Sequence, residues 1–183
     1  MRNSIIKFFL VAGIVLGLGF NAKAQNNQLP EPQSKWVFGG NFGLGFSNYG
    51  SNILISPQIG YRLTPMWEAG TRLTYNYASY RSGSSKVGVS YYGGGLYSSY
   101  EIFRGLFAHV ENEWLSYQPV YLGNIGLYKD DRRVVHSVFV GGGYRQYFSS
   151  VGFASFTILY NLNETFDSPY NNPLIRVGFG FGF

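Results

Sequence analysis

Ile175-Arg176-Val177-Gly178-Phe179-Gly180-Phe181-Gly182-Phe183 alternates without a break. Ile175, Val177, Phe179, Phe181 and Phe183 fall on one side, and Arg176, Gly178, Gly180 and Gly182 on the other. Period two marks a β-strand. The composition of the two sides says more: the large apolar residues are together, and the arginine shares its face with glycine. In a narrow barrel spanning a membrane, the outer face is apolar and the inner face small or polar.

Working back along the chain, the same inversion recurs. Phe156, Ile158 and Tyr160 oppose Ser155, Thr157 and Asn161, and Val138, Val140, Tyr144 and Phe148 oppose Arg145. Leu106, Ala108, Val110 and Trp114 oppose Phe107, His109, Glu111 and Glu113. Further back, Trp67, Ala69, Leu73, Tyr75 and Tyr77 oppose Glu68, Gly70, Arg72, Thr74 and Asn76. Ile53, Ile55, Ile59, Tyr61 and Leu63 oppose Asn52, Ser56, Gln58, Gly60 and Arg62, with a bulge or strand end expected near Pro57. Trp36, Phe38, Phe42, Leu44 and Phe46 oppose Val37, Gly39, Asn41, Gly43 and Gly45. A further strand over residues 86–100 groups Val87, Val89 and Tyr91. Its run Gly93-Gly94-Gly95 hides the parity of Leu96 and Tyr97 and is a candidate bulge.

These segments make eight strands, and none of the assigned apolar faces carries a charge. An Arg or Lys on the lipid face costs about 2 to 4 kcal/mol at the midplane. A soluble barrel would have the opposite arrangement, apolar inside and polar outside. The expected fold is therefore an all-β, eight-stranded antiparallel up-and-down transmembrane β-barrel. The connections alternate as such barrels require: short near 64–66, 101–105 and 149–150, and longer and more polar over 78–85, 115–133 and 162–172, with only the first outer loop, near 47–50, short. An even strand count puts both termini on the periplasmic side, with Trp36, Tyr61, Trp67 and Phe148 as an inner aromatic girdle.

The first residues fit that destination. Arg2 and Lys7 precede an apolar run from Phe8 to Phe20, followed by Ala22-Lys23-Ala24. This is the pattern of a cleaved signal peptide over 1–24, and the run is too short for a membrane-spanning helix. Residues 25–34, polar and proline-containing, read as a short periplasmic tail, leaving 35–183 for the barrel. Arg2, Lys7 and Lys23 leave with the signal, which takes the 14 basic side chains to 11 against 9 acidic ones. The basic balance is thus mainly an export feature, and no nucleic-acid partner follows from it. Cysteine is absent, which excludes disulfides and thiolate metal sites. The 25 Gly, 16 Tyr and 16 Phe suit a closed sheet in lipid.

The end of the chain, Arg176 to Phe183, resembles the C-terminal β-signal of bacterial outer-membrane proteins. The whole mature chain is similar to the OmpX and OmpA-barrel class and to the outer-membrane β-barrel domain family of Bacteroidota. The resemblance implies an integral protein of a Gram-negative outer membrane, with outer-membrane lipid around it. It also implies that Phe179, Phe181 and Phe183 are read by the barrel assembly machinery. The barrel is expected to end the chain, without the peptidoglycan-binding domain of full OmpA-like proteins.

Eight strands enclose a space that side chains just fill. The inward Arg62, Glu68, Arg72, His109, Glu111, Glu113, Arg145 and Arg176 are therefore expected to pair across the lumen rather than to line an ion path. His109, Glu111 and Glu113 stand roughly 6 to 7 Å apart along one strand, too far for one ion without a ligand from elsewhere, so no metal site is expected. No cofactor is expected either.

Some small barrels modify lipid A, and such an enzyme is the alternative. The deacylases place His and Ser two residues apart on the outer face. Here His136 and Ser137 are adjacent and point to opposite sides, and position 138 is Val. The sequence displays no converging Ser–His–acid set, and catalysis is not expected. A narrow transporter of small hydrophobic molecules is a further alternative. A structural or interaction role, with an envelope protein as partner, is the leading one. Its candidate surface is the 115–133 stretch, in particular Tyr117, Tyr121, Leu127, Tyr128 and Arg132. That stretch reads equally as a partner surface and as strands protruding beyond the membrane.

Overall fold

The structure is a computed structural model that describes residues 35–47, 50–123, 126–149, 151–165, 168–170 and 172–182. The expected signal peptide, the 25–34 tail and Phe183 lie outside the described residues. The strands are β1 (Trp36–Ser47), β2 (Gly50–Arg62), β3 (Trp67–Ser82), β4 (Ser85–Phe103), β5 (Leu106–Tyr117), β6 (Val120–Gly123), β7 (Gly126–Lys129), β8 (Arg133–Tyr147), β9 (Gly152–Asn161) and β10 (Leu174–Gly182). Eight of them close an antiparallel barrel in the order β1-β10-β9-β8-β5-β4-β3-β2, while β6 and β7 form a separate hairpin. Closure leaves no free edge among the eight.

Alternation holds around the wall. Phe42, Leu73, Leu96, Val110, Phe156 and Phe179 are exposed, whereas Glu68, Arg72, Glu111, Glu113, Arg145 and Arg176 are buried inside. Among the described barrel residues, the charges at outward register positions are Arg81 and Lys86. They face each other at the tip of the β3–β4 hairpin, where the wall has left the apolar band. An apolar exterior around a charged interior is the transmembrane type of barrel.

Four expectations about the chain's course are corrected. Residues 78–85 are not a loop: β3 and β4 stay paired to Ser82↔Ser85, leaving only Gly83 and Ser84 in the turn. Polar side chains there mark strands beyond the bilayer, not an end of pairing. Gly93-Gly94-Gly95 holds register with both neighbours, and the shift in β4 falls at Glu101/Phe103 instead. Val87, Val89 and Tyr91 accordingly face inward. At Ser56 and Pro57 the ladder to β3 skips two pairs, yet register is the same on either side. The Ser56 hydroxyl donates to the Leu73 carbonyl at 2.9 Å, on the residue that the register sets opposite Pro57. Finally, Leu115–Tyr117 continue β5, and the rest of the 115–133 stretch carries the β6–β7 hairpin.

Tight curvature has a steric cost that glycine removes. At Gly95 a Cβ would run into the Asn112 carbonyl oxygen, and at Gly141 into that of Ile158. Both positions face inward, where bending the sheet brings neighbouring backbones together. They also make room for long neighbours: Gly95 stands in register between Arg72 and Glu113, and Gly141 between His109 and Leu159. Gly141→Val is expected to destabilise the barrel by about 1 to 3 kcal/mol. Gly43→Ala, whose Cβ would meet only the Leu54 side chain at 3.4 Å, is expected to stay within about 0.5 kcal/mol of wild type. Urea unfolding from lipid vesicles measures both.

Candidate functional site

The inner surface divides into two halves. Toward the end carrying the barrel's termini it is a charged cluster; toward the other end it is an apolar chamber.

Register assembles the cluster. Tyr97 stands opposite Glu111 on the β4–β5 ladder, and Ser99 opposite His109. Arg145 donates to Glu68 Oε2 at 3.0 Å, and the Tyr97 hydroxyl to Glu68 Oε1 at 2.7 Å. Glu111 is the convergence point: its Oε2 accepts from Arg176 at 2.6 Å and lies 3.1 Å from His109 Nε2 and 3.2 Å from Arg72 Nε. The Arg72 Nε–H is not aligned to donate, so that contact is electrostatic, while Arg72 Nη2 donates to Gln58 at 2.8 Å. Among the described residues, no arginine forms an ion pair with Glu113. It accepts from Thr74 at 2.5 Å and from the Tyr170 hydroxyl at 2.5 Å, which holds Tyr170 inside the barrel. Burial, with Glu113 beside it, pushes the Tyr170 phenol well above its usual range, which keeps it a donor.

The guanidiniums also pack on rings. Arg145 lies over Phe107 at 4.8 Å and over Phe153 at 5.0 Å, and Arg176 over Phe139 at 5.2 Å. Three arginines and three glutamates are thereby buried together, balanced when His109 is neutral. Arg62 is placed differently: half-buried near Gly182 at the rim that holds the termini.

One arrangement is not visible in the sequence. Ser99 Oγ lies 2.7 Å from His109 Nδ1, and the other ring nitrogen reaches Glu111. These three groups have Ser–His–acid connectivity, which corrects the expectation that no such set converges. The signal that would have found it is the β4–β5 register, since the serine is one of several and lies ten positions before the histidine. Its surroundings leave little scope for chemistry. The adjoining space is about 20 Å³, room for one water, and Glu111 is already held by two arginines. His136 and Ser137 diverge: the histidine faces outward, stacked on Trp114 at 5.0 Å, and the serine is buried inside.

Above the cluster, Ala78, Val89, Tyr91, Leu115, Tyr117 and Val135 form an apolar inner layer. Tyr117 does not sit on an exposed loop as expected; it is 6 % exposed and packs 5.9 Å from Tyr91. The other candidates of that stretch belong to or flank the β6–β7 hairpin. Tyr121 and Tyr128 are cross-strand neighbours and both exposed, as is Leu122, while the Leu127 N–H donates to Ser85 at the β3–β4 tip. Arg132 folds back over the Tyr92 ring at 4.6 Å. At the barrel's far end, Phe179 and Phe181 of β10 are exposed on the outer wall.

No family model matches the chain, and no curated protein matches it in sequence. Among solved structures it is similar to the N-terminal β-barrel domain of Pseudomonas aeruginosa OprF, at 18% identity and a TM-score of 0.46, over 82% of this chain and 98% of that domain.

The cluster generates a stability prediction. Glu111→Gln leaves Arg72 and Arg176 facing a neutral amide and is expected to cost about 3 kcal/mol or more. Asp130→Asn, which breaks the half-exposed Asp130–Arg133 pair, is expected to cost less than about 1 kcal/mol. Urea midpoints of the two variants in lipid vesicles, measured side by side, check the contrast.

Proposed function

We propose that the protein is an integral outer-membrane barrel whose work is interaction rather than conduction or catalysis. The observation that carries this reading is the sealed lumen: the Arg–Glu cluster fills one half, and the space beside it is about 20 Å³. A transporter of small hydrophobic molecules would be favoured by an apolar path running through. Here the apolar half stops at the charged one. A non-catalytic role is supported by the enclosure of Ser99 and His109 and by the divergence of His136 from Ser137.

The interaction element is the β6–β7 hairpin, which presents Tyr121, Leu122 and Tyr128 to solvent while its other side rests on the β3–β4 tip. Exposed aromatic and aliphatic side chains on a braced hairpin favour an envelope protein as partner. In this reading residues 1–24 direct export, both termini lie in the periplasm, and the assembly machinery reads Phe179, Phe181 and Phe183.

Three measurements test it. With no native cysteine, Ser84→Cys is expected to react with a membrane-impermeant maleimide on intact cells, and Ser149→Cys only after permeabilisation; the reverse would invert the orientation. In planar bilayers the purified barrel is expected to give no stepwise conductance, and well-defined channels would overturn the sealed lumen. A partner recovered at fixed stoichiometry from native outer membranes is expected to be lost from a Tyr121→Ser, Leu122→Ser, Tyr128→Ser variant. A wild-type barrel that purifies alone would remove the interaction role.

A further inference from the structure

Two tyrosines mark where the outer wall leaves the bilayer at the hairpin end. In register Tyr75 faces Tyr92, and Tyr77 faces Ser90. Yet the Tyr75 hydroxyl meets the Ser90 hydroxyl at 3.4 Å, and the Tyr77 hydroxyl stands where a Cβ on Gly88 would be. Both rings thus lean one outward position toward the β3–β4 tip, the posture of an amphipathic ring that keeps its polar end at a membrane surface. The boundary lies at the level of Gly88 and Ser90.

Three cations stand at or just beyond that level on the same face. The Arg132 guanidinium covers the Tyr92 ring and donates to the Ser90 and Ser116 carbonyls, each at 3.3 Å. Lys86 is two outward positions further along β4, about 13 Å from Ser90 along the strand, and Arg81 is its register partner on β3. All three are exposed, and among the described residues no carboxylate forms an ion pair with any of them. Asp130, close by in sequence, is held by Arg133 at 2.6 Å. The acceptors that hold Arg132 are neutral, so its charge is oriented but not cancelled. The β6–β7 hairpin rests on Ser85, which alternates with Lys86 and so faces the other side of the strand. Below the boundary the exposed side chains on this face are apolar or aromatic, among them Leu73 and Leu96.

We propose that this face of β3–β4, together with Arg132, is a binding site for a phosphorylated lipid. The headgroup phosphate lies between Arg132 and Lys86, with Arg81 beside them and the Tyr77 hydroxyl as a further donor, and the acyl chains run down the wall over Leu73 and Leu96. The site rests on the reading that the barrel spans a bilayer and is independent of any protein partner of the hairpin.

Brominated lipids quench tryptophan on contact, and Trp114, on the outer wall opposite Gly94, is beside the site. The full barrel carrying Trp36→Phe and Trp67→Phe keeps Trp114 as its one tryptophan. It is reconstituted in phosphatidylcholine vesicles with a minor fraction of dibrominated phosphatidic acid, phosphatidylcholine or diacylglycerol bearing the same chains. Phosphatidic acid is expected to be enriched at Trp114 over phosphatidylcholine by at least about fivefold, the worth of one cation near an anionic headgroup. Diacylglycerol is expected to show no enrichment. Arg81→Gln, Lys86→Gln and Arg132→Gln together are expected to abolish the preference, while Arg81→Lys, Lys86→Arg and Arg132→Lys together keep most of it. Lys35→Gln with Arg104→Gln, at the other end of the barrel, is expected to leave it unchanged. Inorganic phosphate is expected not to displace the lipid at matched ionic strength. A preference that survives the triple glutamine variant, an equal loss in the Lys35/Arg104 variant, enrichment of diacylglycerol, or displacement by inorganic phosphate would each overturn the proposal. No quenching by any of the lipids would instead remove the bilayer-spanning reading, and the site with it.

Discussion

Everything inside the barrel is arranged around one carboxylate. Glu111 is 1 % exposed, and one of its oxygens receives Arg176, faces Arg72 and meets His109. These residues lie on β5, β10 and β3, so a single anion ties together strands on different sides of the wall. A buried ion pair is weak evidence for stability when compared with an apolar core. A barrel in lipid, however, has little hydrophobic drive to fill its centre with oil-like side chains, since its outer wall is already in an apolar medium. Neutralised charges and stacked rings then do what a hydrophobic core does in a soluble domain: they fix the spacing of strands that share no ladder.

The second constraint is room. Eight strands bend the sheet so sharply that carbonyls of adjacent strands crowd the inner face, and a side chain at Gly95 or Gly141 would collide with them. Glycine there frees volume that Arg72, Glu113, His109 and Leu159 then take up as register neighbours. Large and small residues thus interleave across strands as in a packed core. Where the strands extend toward the hairpin end, this filling ceases and the chamber opens.

Most of the fold was legible because alternation carries it. The inward placement of Arg176 could be read from its glycine neighbours alone, and β3 as far as Tyr77 from its five outward apolar residues. The errors arose where the barrel leaves the bilayer. Arg81, Ser82 and Ser85 look like a loop because polarity no longer distinguishes the two faces of a strand outside lipid, although pairing persists. Leu115 and Tyr117 look like loop residues because they are apolar on an inner face that elsewhere is polar; they line a chamber that the sequence pattern does not announce. The Ser99–His109 contact was illegible for another reason: it depends on register between strands, which alternation within one strand does not specify.

The main ladder between β5 and β8 runs to Tyr117↔Arg133, and residues 118–132 lie outside it. Among the described residues, β6 and β7 form a sheet of their own outside the barrel wall, so the hairpin's length does not set the stagger of the barrel. A longer or shorter connection would change loop-closure entropy by only about 0.6 kcal/mol per doubling. This makes the segment an exchangeable module on a fixed frame. Its surface is free to diversify while the wall and its ionic filling stay unchanged, and a foreign peptide inserted between Gln118 and Arg132 would not ask the barrel to fold differently.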